Sequence, residues 1–232
     1  MKAVLMSIQP YWVFLIIAKK MAWNIGNEKT VEVRKNYPKS EDWNKIVKIY
    51  CSKDKKSFSK IPKEYQPLME QFLGKVIGEF VCKDIEEFQA EFTDLMYFDS
   101  QNENVCQNTI KRVAWLEDEN EPYYFYETSN DEDNPNDCEL LRESCLTFDE
   151  VRQYIGETFY DKSFYGWCIS DIVLYDKPKE LSEFRKPCDY DLGCKCCSMY
   201  FPGTIYAEPY CKNGNLEIKR PPQSWCYVEE VG

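Results

Sequence analysis

The chain of 232 residues is 44% apolar and 16% aromatic, enough to bury a sizeable core and too hydrophobic for a disordered protein. It contains no histidine, which excludes Ser-His-Asp and Cys-His nucleophile systems and leaves Cys and carboxylates as metal ligands. A net charge of −11 argues against a general duplex-DNA coat protein, because phosphate binding is driven by Lys and Arg. The charge is uneven: residues 1–75 hold 15 Lys/Arg against 7 Asp/Glu, and the remainder 14 against 33. A basic first third on an acidic body suits a local anion site, such as a nucleotide or a short single strand. The acidic remainder serves solubility, or it is a surface for a basic protein partner.

In chain order, residues 3–9 read as a buried strand, Pro10 as a helix start, and the apolar run to about Ala22 as a helix. The stretch AVLMSIQPYWVFLIIA is not read as a membrane anchor or leader. Ser7, Gln9 and Pro10 interrupt it, residues 11–18 are too few to span a bilayer, and Lys19 and Lys20 stand where a leader needs small residues. The expected location is cytoplasmic. A strand over 29–35 follows in IGNEKTVEVRK. Alternation puts Thr30, Glu32 and Arg34 on one side and Val31 and Val33 on the other. The charged side is either the solvated face of a half-buried strand or the wall of a ligand cleft.

KIVKIYCSK is a β-rich run, and IPKEYQPLMEQFLG has helical spacing that ends at Gly74. KVIGEFVCKDIEEF is a strand in which Gly78 marks a bulge or a close approach. Residues 93–146 read as an acidic, aromatic insertion, with short strands around KRVAWLE and PYYFYE and a loop at ETSNDEDNPND. TFDEVRQYIGE is a helix capped by Thr147 or Asp149. FYGWCISDIVLYD is a strand, KPKELSEF a turn and short helix, and SWCYVEEV a closing strand. The expected class is α+β, with many short strands in a small, closed or nearly closed mixed β-barrel.

Of the 12 Cys, Cys51, Cys82 and Cys168 fall in expected strands and behave as small buried hydrophobes. Six crowd the tail: Cys188, Cys194, Cys196, Cys197, Cys211 and Cys226. A structural zinc held by Cys188, Cys197, Cys211 and Cys226 fits a cytosolic chain, with Cys194 or Cys196 as substitutes. Disulfides would fit a secreted chain, and free thiols are the third option. Cys194 and Cys197 form one C-x-x-C, but no second pair follows it.

Four stretches in order, VLMSIQPYWVFLIIAKKM, GNEKTVEVRK, GKVIGEFVCKDI and FYGWCISDIVLYDKPKEL, resemble the ASCH family of the PUA-like superfamily. The family signature is a Gly followed by Lys-x-x-Glu-x-Arg. Gly26, Lys29, Glu32 and Arg34 match it, with one extra residue between Gly and Lys. The closing RPPQSWCYVEE also resembles an ASCH subgroup of Gram-positive bacteria and their phages. The resemblance implies a PUA-like barrel over residues 1–185, interrupted by the insertion, with a Cys-rich tail over 186–232 whose final strand joins it.

It further implies RNA, nucleotide or modified-base binding in a cleft beside Lys29, Glu32 and Arg34. Arg34 offers a planar fork to a phosphate or a base edge. Trp12, Trp23, Tyr11 and Tyr37 lie near in sequence as stacking surfaces. Some small ASCH proteins hydrolyse acetylated cytidine with a Lys and a Thr three residues on. Lys29 matches the Lys, but Glu32 stands where the Thr should be, and Thr30 lies two residues earlier. Glu143 is the nearest match to the remaining acidic residue. A carboxylate-bound metal nuclease has no paired-acid motif to single it out. A phage-type inhibitor that presents negative charge to a host nucleic-acid-binding protein is the reading from a different class.

Overall fold

A computed structural model describes residues 2–39, 43–92, 97–98, 104–105, 108–115, 122–127, 138–156, 163–188 and 216–230. The elements begin with β1 (Lys2–Ile8), α1 (Pro10–Ile17), β2 (Val31–Arg34), β3 (Trp43–Cys51), α2 (Lys55–Phe58) and α3 (Gln66–Glu70). Then come β4 (Val76–Phe92), β5 (Tyr97–Phe98), β6 (Asn104–Val105), β7 (Asn108–Trp115) and β8 (Pro122–Glu127). The chain continues through α4 (Glu139–Ser144), α5 (Phe148–Ile155), β9 (Ser163–Lys179), a 3₁₀ turn (Leu181–Glu183), β10 (Phe184–Arg185) and β11 (Trp225–Glu230). The fold is α+β and rich in strands, with a few short helices, and its main sheet does not close among the described residues. No helix of the described residues is long and apolar enough to cross a membrane.

The chain divides into two compact units, residues 1–21, 40–81 and 171–232 in the first, and 22–39 and 82–170 in the second. Strands β4 and β9 pass from one to the other.

In the first unit the strand order is β10-β11-β1-β3-β4. β1 lies parallel to β3 and antiparallel to β11, with Val4 opposite Val47 and Leu5 opposite Cys226. A strand with neighbours on both edges and cover on both faces needs apolar residues in succession, which Val4, Leu5 and Met6 supply. The parallel pairing requires a crossover, and α1 stands in it, opened by Pro10 at its first position, where the missing N–H costs nothing. The helix stops at Ile17 rather than near Ala22. Lys19 and Lys20 are exposed, and Ala22 turns left-handed at φ 54°, so no apolar face remains to hold a further turn. Around IPKEYQPLMEQFLG only Gln66–Glu70 is helical, with turns on either side. Cys51 is buried within β3.

A charged network ties four strands of this unit together. Lys48 Nζ donates to Glu79 Oε2 at 2.6 Å, to Tyr175 Oη at 2.9 Å and to Glu230 Oε1 at 3.0 Å. Tyr175 Oη donates to Glu79 at 2.8 Å, and Lys179 to Glu230 at 2.9 Å. Burial pushes the Glu79 and Glu230 carboxyls up, but hydrogen bonds from the lysines and, at Glu79, from Tyr175 outweigh it and hold both below the usual range. Carboxyls depressed in the folded state contribute stability that is present above their unfolded pKa and lost as the pH falls through the folded one. Melting temperature between pH 7 and pH 3 should therefore fall more steeply for the wild type than for Lys48→Met. Because Glu230 is 41% exposed, the difference amounts to about 1 kcal/mol at most. Parallel acid limbs for the two proteins would refute a stabilising role for the network.

In the second unit β4, β7 and β8 form an antiparallel run, and β2 pairs antiparallel with β9. α5 begins at Thr147, not Asp149. Glu150 N donates to Thr147 Oγ1 at 3.2 Å and Thr147 N to Glu150 Oε2 at 3.1 Å, a reciprocal cap. The core gathers Val31, Val33, Phe88, Ile110, Leu140, Leu141, Phe148, Val151 and Phe164. Cys82 is buried and Cys168 half-buried. Residues 128–137 of the expected loop lie outside the described residues.

Candidate functional site

β2 is four residues long and starts at Val31, so it is shorter than the 29–35 expected. Its register with β9 sets Val31 opposite Cys168, Glu32 opposite Trp167, Val33 opposite Gly166 and Arg34 opposite Tyr165. Directly opposed side chains share a face. One face of the ribbon is apolar and joins the core of Phe88, Leu140 and Phe164. The other carries Glu32, Arg34, Tyr165 and Trp167.

The charged face is not a solvated one. Lys29, Glu32 and Arg34 are 3%, 5% and 7% exposed, and Trp167 beside them is fully buried. That overturns the half-buried-strand reading of this segment. Buried charges need partners, and these three partner one another. Arg34 Nη2 lies 2.8 Å from Glu32 Oε1, and Lys29 Nζ lies 3.4 Å from Glu32 Oε2. Lys29 precedes the first strand residue, so alternation does not govern it, and it turns to the Glu32 side.

The end of α4 fixes Lys29 in place. Cys145 is left-handed at φ 54° and closes the helix, with Leu146 N donating to Leu141 O at 3.1 Å. This presents the carbonyls of Glu143 and Ser144 to the segment before β2. Lys29 Nζ donates to Ser144 O at 2.6 Å, where the negative end of the helix favours a cation. Thr30 N donates to Glu143 O at 2.8 Å, and Cys145 Sγ donates to Glu28 O at 3.4 Å. Burial pulls Lys29 below its ordinary pKa, and Arg34 adds to this, while Glu32 and Cys145 oppose it. Burial pushes the Cys145 thiol up, against Lys29.

The Arg34 end of β2 is lined by tyrosines. Arg34 hydrogen-bonds Tyr154 of α5, whose phenol burial pushes up while Arg34 pulls it back. Lys35 Nζ stands 5.3 Å from the centre of the Tyr154 ring, and Tyr37 meets Tyr165 at 4.5 Å between ring centres. Tyr37 and Tyr154 are among the few exposed large hydrophobics of the described residues. The arrangement can take an anion at Arg34 and Lys35 and a planar ring on an exposed tyrosine.

The structure thus brings Lys29, Glu32 and Arg34 together. Trp23 belongs to the same unit and is half-buried. Trp12 belongs to the first unit, where it is half-buried, edge-on to Tyr11 at 5.1 Å, with Lys60 5.9 Å from its ring centre. Thr30 is exposed and Glu143 half-buried, and Glu143 meets the motif through its backbone carbonyl. Sequence reasoning missed Tyr154, Tyr165, Ser144 and Cys145. Only the helix period of TFDEVRQYIGE, which sets Tyr154 apart from Phe148 and Val151, hinted at any of them. Of the proposed zinc ligands, Cys188 and Cys226 are half-buried free thiols, while Cys197 and Cys211, like Cys194 and Cys196, lie outside the described residues. Comparison with family models, with curated proteins and with solved structures gave no match.

Proposed function

We propose that this chain is a PUA-like protein of ASCH type that binds a nucleic acid or nucleotide at the Arg34 end of β2. The observation that supports this most is a buried cluster of two cations on one carboxylate that leads directly to exposed tyrosines and Lys35. At the end of β2 the Arg34 guanidinium stands next in sequence to the exposed Lys35 ammonium, a local concentration of positive charge. An anion delivered at Arg34 would offset it, and Glu32 would keep the guanidinium aimed. A base next to that phosphate would stack on Tyr37 or Tyr154, which favours unpaired strands over duplex.

The test is fluorescence anisotropy of short labelled single-stranded RNA and DNA across a salt series. Arg34→Ala should weaken binding by about tenfold or more, the worth of one charge-assisted pair. Since Arg34 is buried, the exposed pair Lys35→Ala and Tyr37→Ala serves as the variant that keeps the fold, each with a several-fold loss. Binding that none of the three weakens would remove the ligand from β2. A second reading rests on the lowered pKa of Lys29, which suits a general base. Acetate release from acetylated cytidine, lost in Lys29→Met, would make the chain a hydrolase instead.

A further inference from the structure

A cavity of about 540 Å³ opens in the first unit between the end of β10 and the chain entering β11. Among the described residues Lys186, Lys219 and Arg220 line it, with Glu217 as the acidic side chain and Ile218 and Cys226 in its apolar lining. On a chain of net charge −11, a concavity with three basic groups to one acidic is a local reversal of sign.

The wall is held at several points. Ile218 is buried in the core with Phe184 and Val228, so its neighbours Glu217 and Lys219 are turned outward. Lys186 N donates to Leu216 O at 2.8 Å, and the backbones of Arg185 and Glu217 pair in an isolated antiparallel β-bridge. Farther on, Ser7 N donates to Ser224 O at 2.9 Å. Pro221 and Pro222 fix the backbone between these anchors. A wall ordered in advance binds at a lower entropic cost than a loose loop. Lys186 and Cys226 both line the cavity, which brings the ammonium-bearing side chain and the thiol to one wall.

We propose that this cavity is a binding site for a phosphate-bearing ligand of roughly nucleotide size. The basic groups supply charge-assisted donors for phosphate oxygens, and the volume lies within the usual range for small-ligand sites. The phosphate comes either from a free nucleotide or from the 5′ end of a strand. The site stands on residues of the first unit and does not depend on ligand binding at β2.

Isothermal titration of the full chain with pyrophosphate, with adenosine monophosphate, and with a short RNA carrying or lacking a 5′ phosphate separates the cases. Pyrophosphate should bind the wild type, and about tenfold or more weaker the double variant Lys219→Ala/Arg220→Ala. Both residues are exposed, so the circular dichroism of that variant should match the wild type. Lys63→Glu, at an exposed lysine of the first unit that lines neither site, should leave pyrophosphate binding unchanged. Binding of the monophosphate assigns a free nucleotide, and binding only of the 5′-phosphorylated RNA assigns a strand end. No binding of any phosphate probe, or pyrophosphate binding as tight in the double variant as in the wild type, overturns the proposal.

Discussion

Glu32→Gln should cost about 3–5 kcal/mol of folding stability, the penalty for breaking a buried ion pair by removing one partner. Glu32 contacts both Lys29 and Arg34, at 3.4 Å and 2.8 Å, and all three side chains are buried. The amide keeps the shape of the carboxylate but not its charge, so the loss reports electrostatics rather than packing. Two neighbouring cations would then face each other with Ser144 O as the acceptor for one of them. Against a total stability of about 5–15 kcal/mol for an ordinary domain, such a loss is a large fraction. A urea midpoint that drops with an unchanged slope is the expected readout.

Lys29→Met should behave differently. It leaves a neutral Glu32–Arg34 pair and removes an amine whose pKa burial has lowered. A base depressed in the folded state binds fewer protons there than in the unfolded chain. Wild-type stability therefore rises with pH from the folded pKa of Lys29 up to its unfolded value near 10.5, and Lys29→Met should lack that rise. A Glu32→Gln loss below about 1 kcal/mol would mean that water reaches the cluster and screens it.

That cluster shows where sequence reasoning reached and where it stopped. Alternation grouped Glu32 with Arg34 and set Val31 and Val33 on the core side, because strand geometry fixes which residues share a face. It could not say what covers the polar face, since cover comes from elements distant in sequence. The start of the strand was placed two residues early, and alternation binds only residues inside the strand, so it does not govern Lys29. Tyr165 and Trp167 reach Glu32 and Arg34 through strand register, which a lone sequence does not specify. Local signals did better. The reciprocal cap at Thr147 and Glu150 is written within four residues, and Pro10 opens α1 where it was expected. The far end of α1 was overextended, because an apolar run shows that residues are buried but not that they stay helical. The expected insertion strands correspond to β7 and β8.

Gly78→Ala should lower stability by at least about 2 kcal/mol, toward the upper end of what overpacking costs. A Cβ on Gly78 would sit 2.2 Å from the backbone oxygen of Val173 and 3.0 Å from the Leu174 Cα. Both obstacles are main-chain atoms of β9, so no side-chain rotation relieves them. The position also adjoins a bulge. Ile49 faces Gly78 while Tyr50 faces Val76, which leaves Ile77 as an extra residue in β4. Gly78 thus serves both roles that a glycine inside a strand suggests, irregular pairing and close approach. Gly26 is the informative control. It belongs to the Gly, Lys, Glu, Arg motif, yet a Cβ there meets nothing within 4 Å, and only its φ of 78° resists substitution. Gly26→Ala should therefore cost about 1 kcal/mol, less than Gly78→Ala. Urea midpoints of the two variants give the order directly. A Gly78→Ala loss no larger than that of Gly26→Ala would mean that β9 moves away from β4 with little resistance, and that the close contact at Val173 does not hold the strand pair in register.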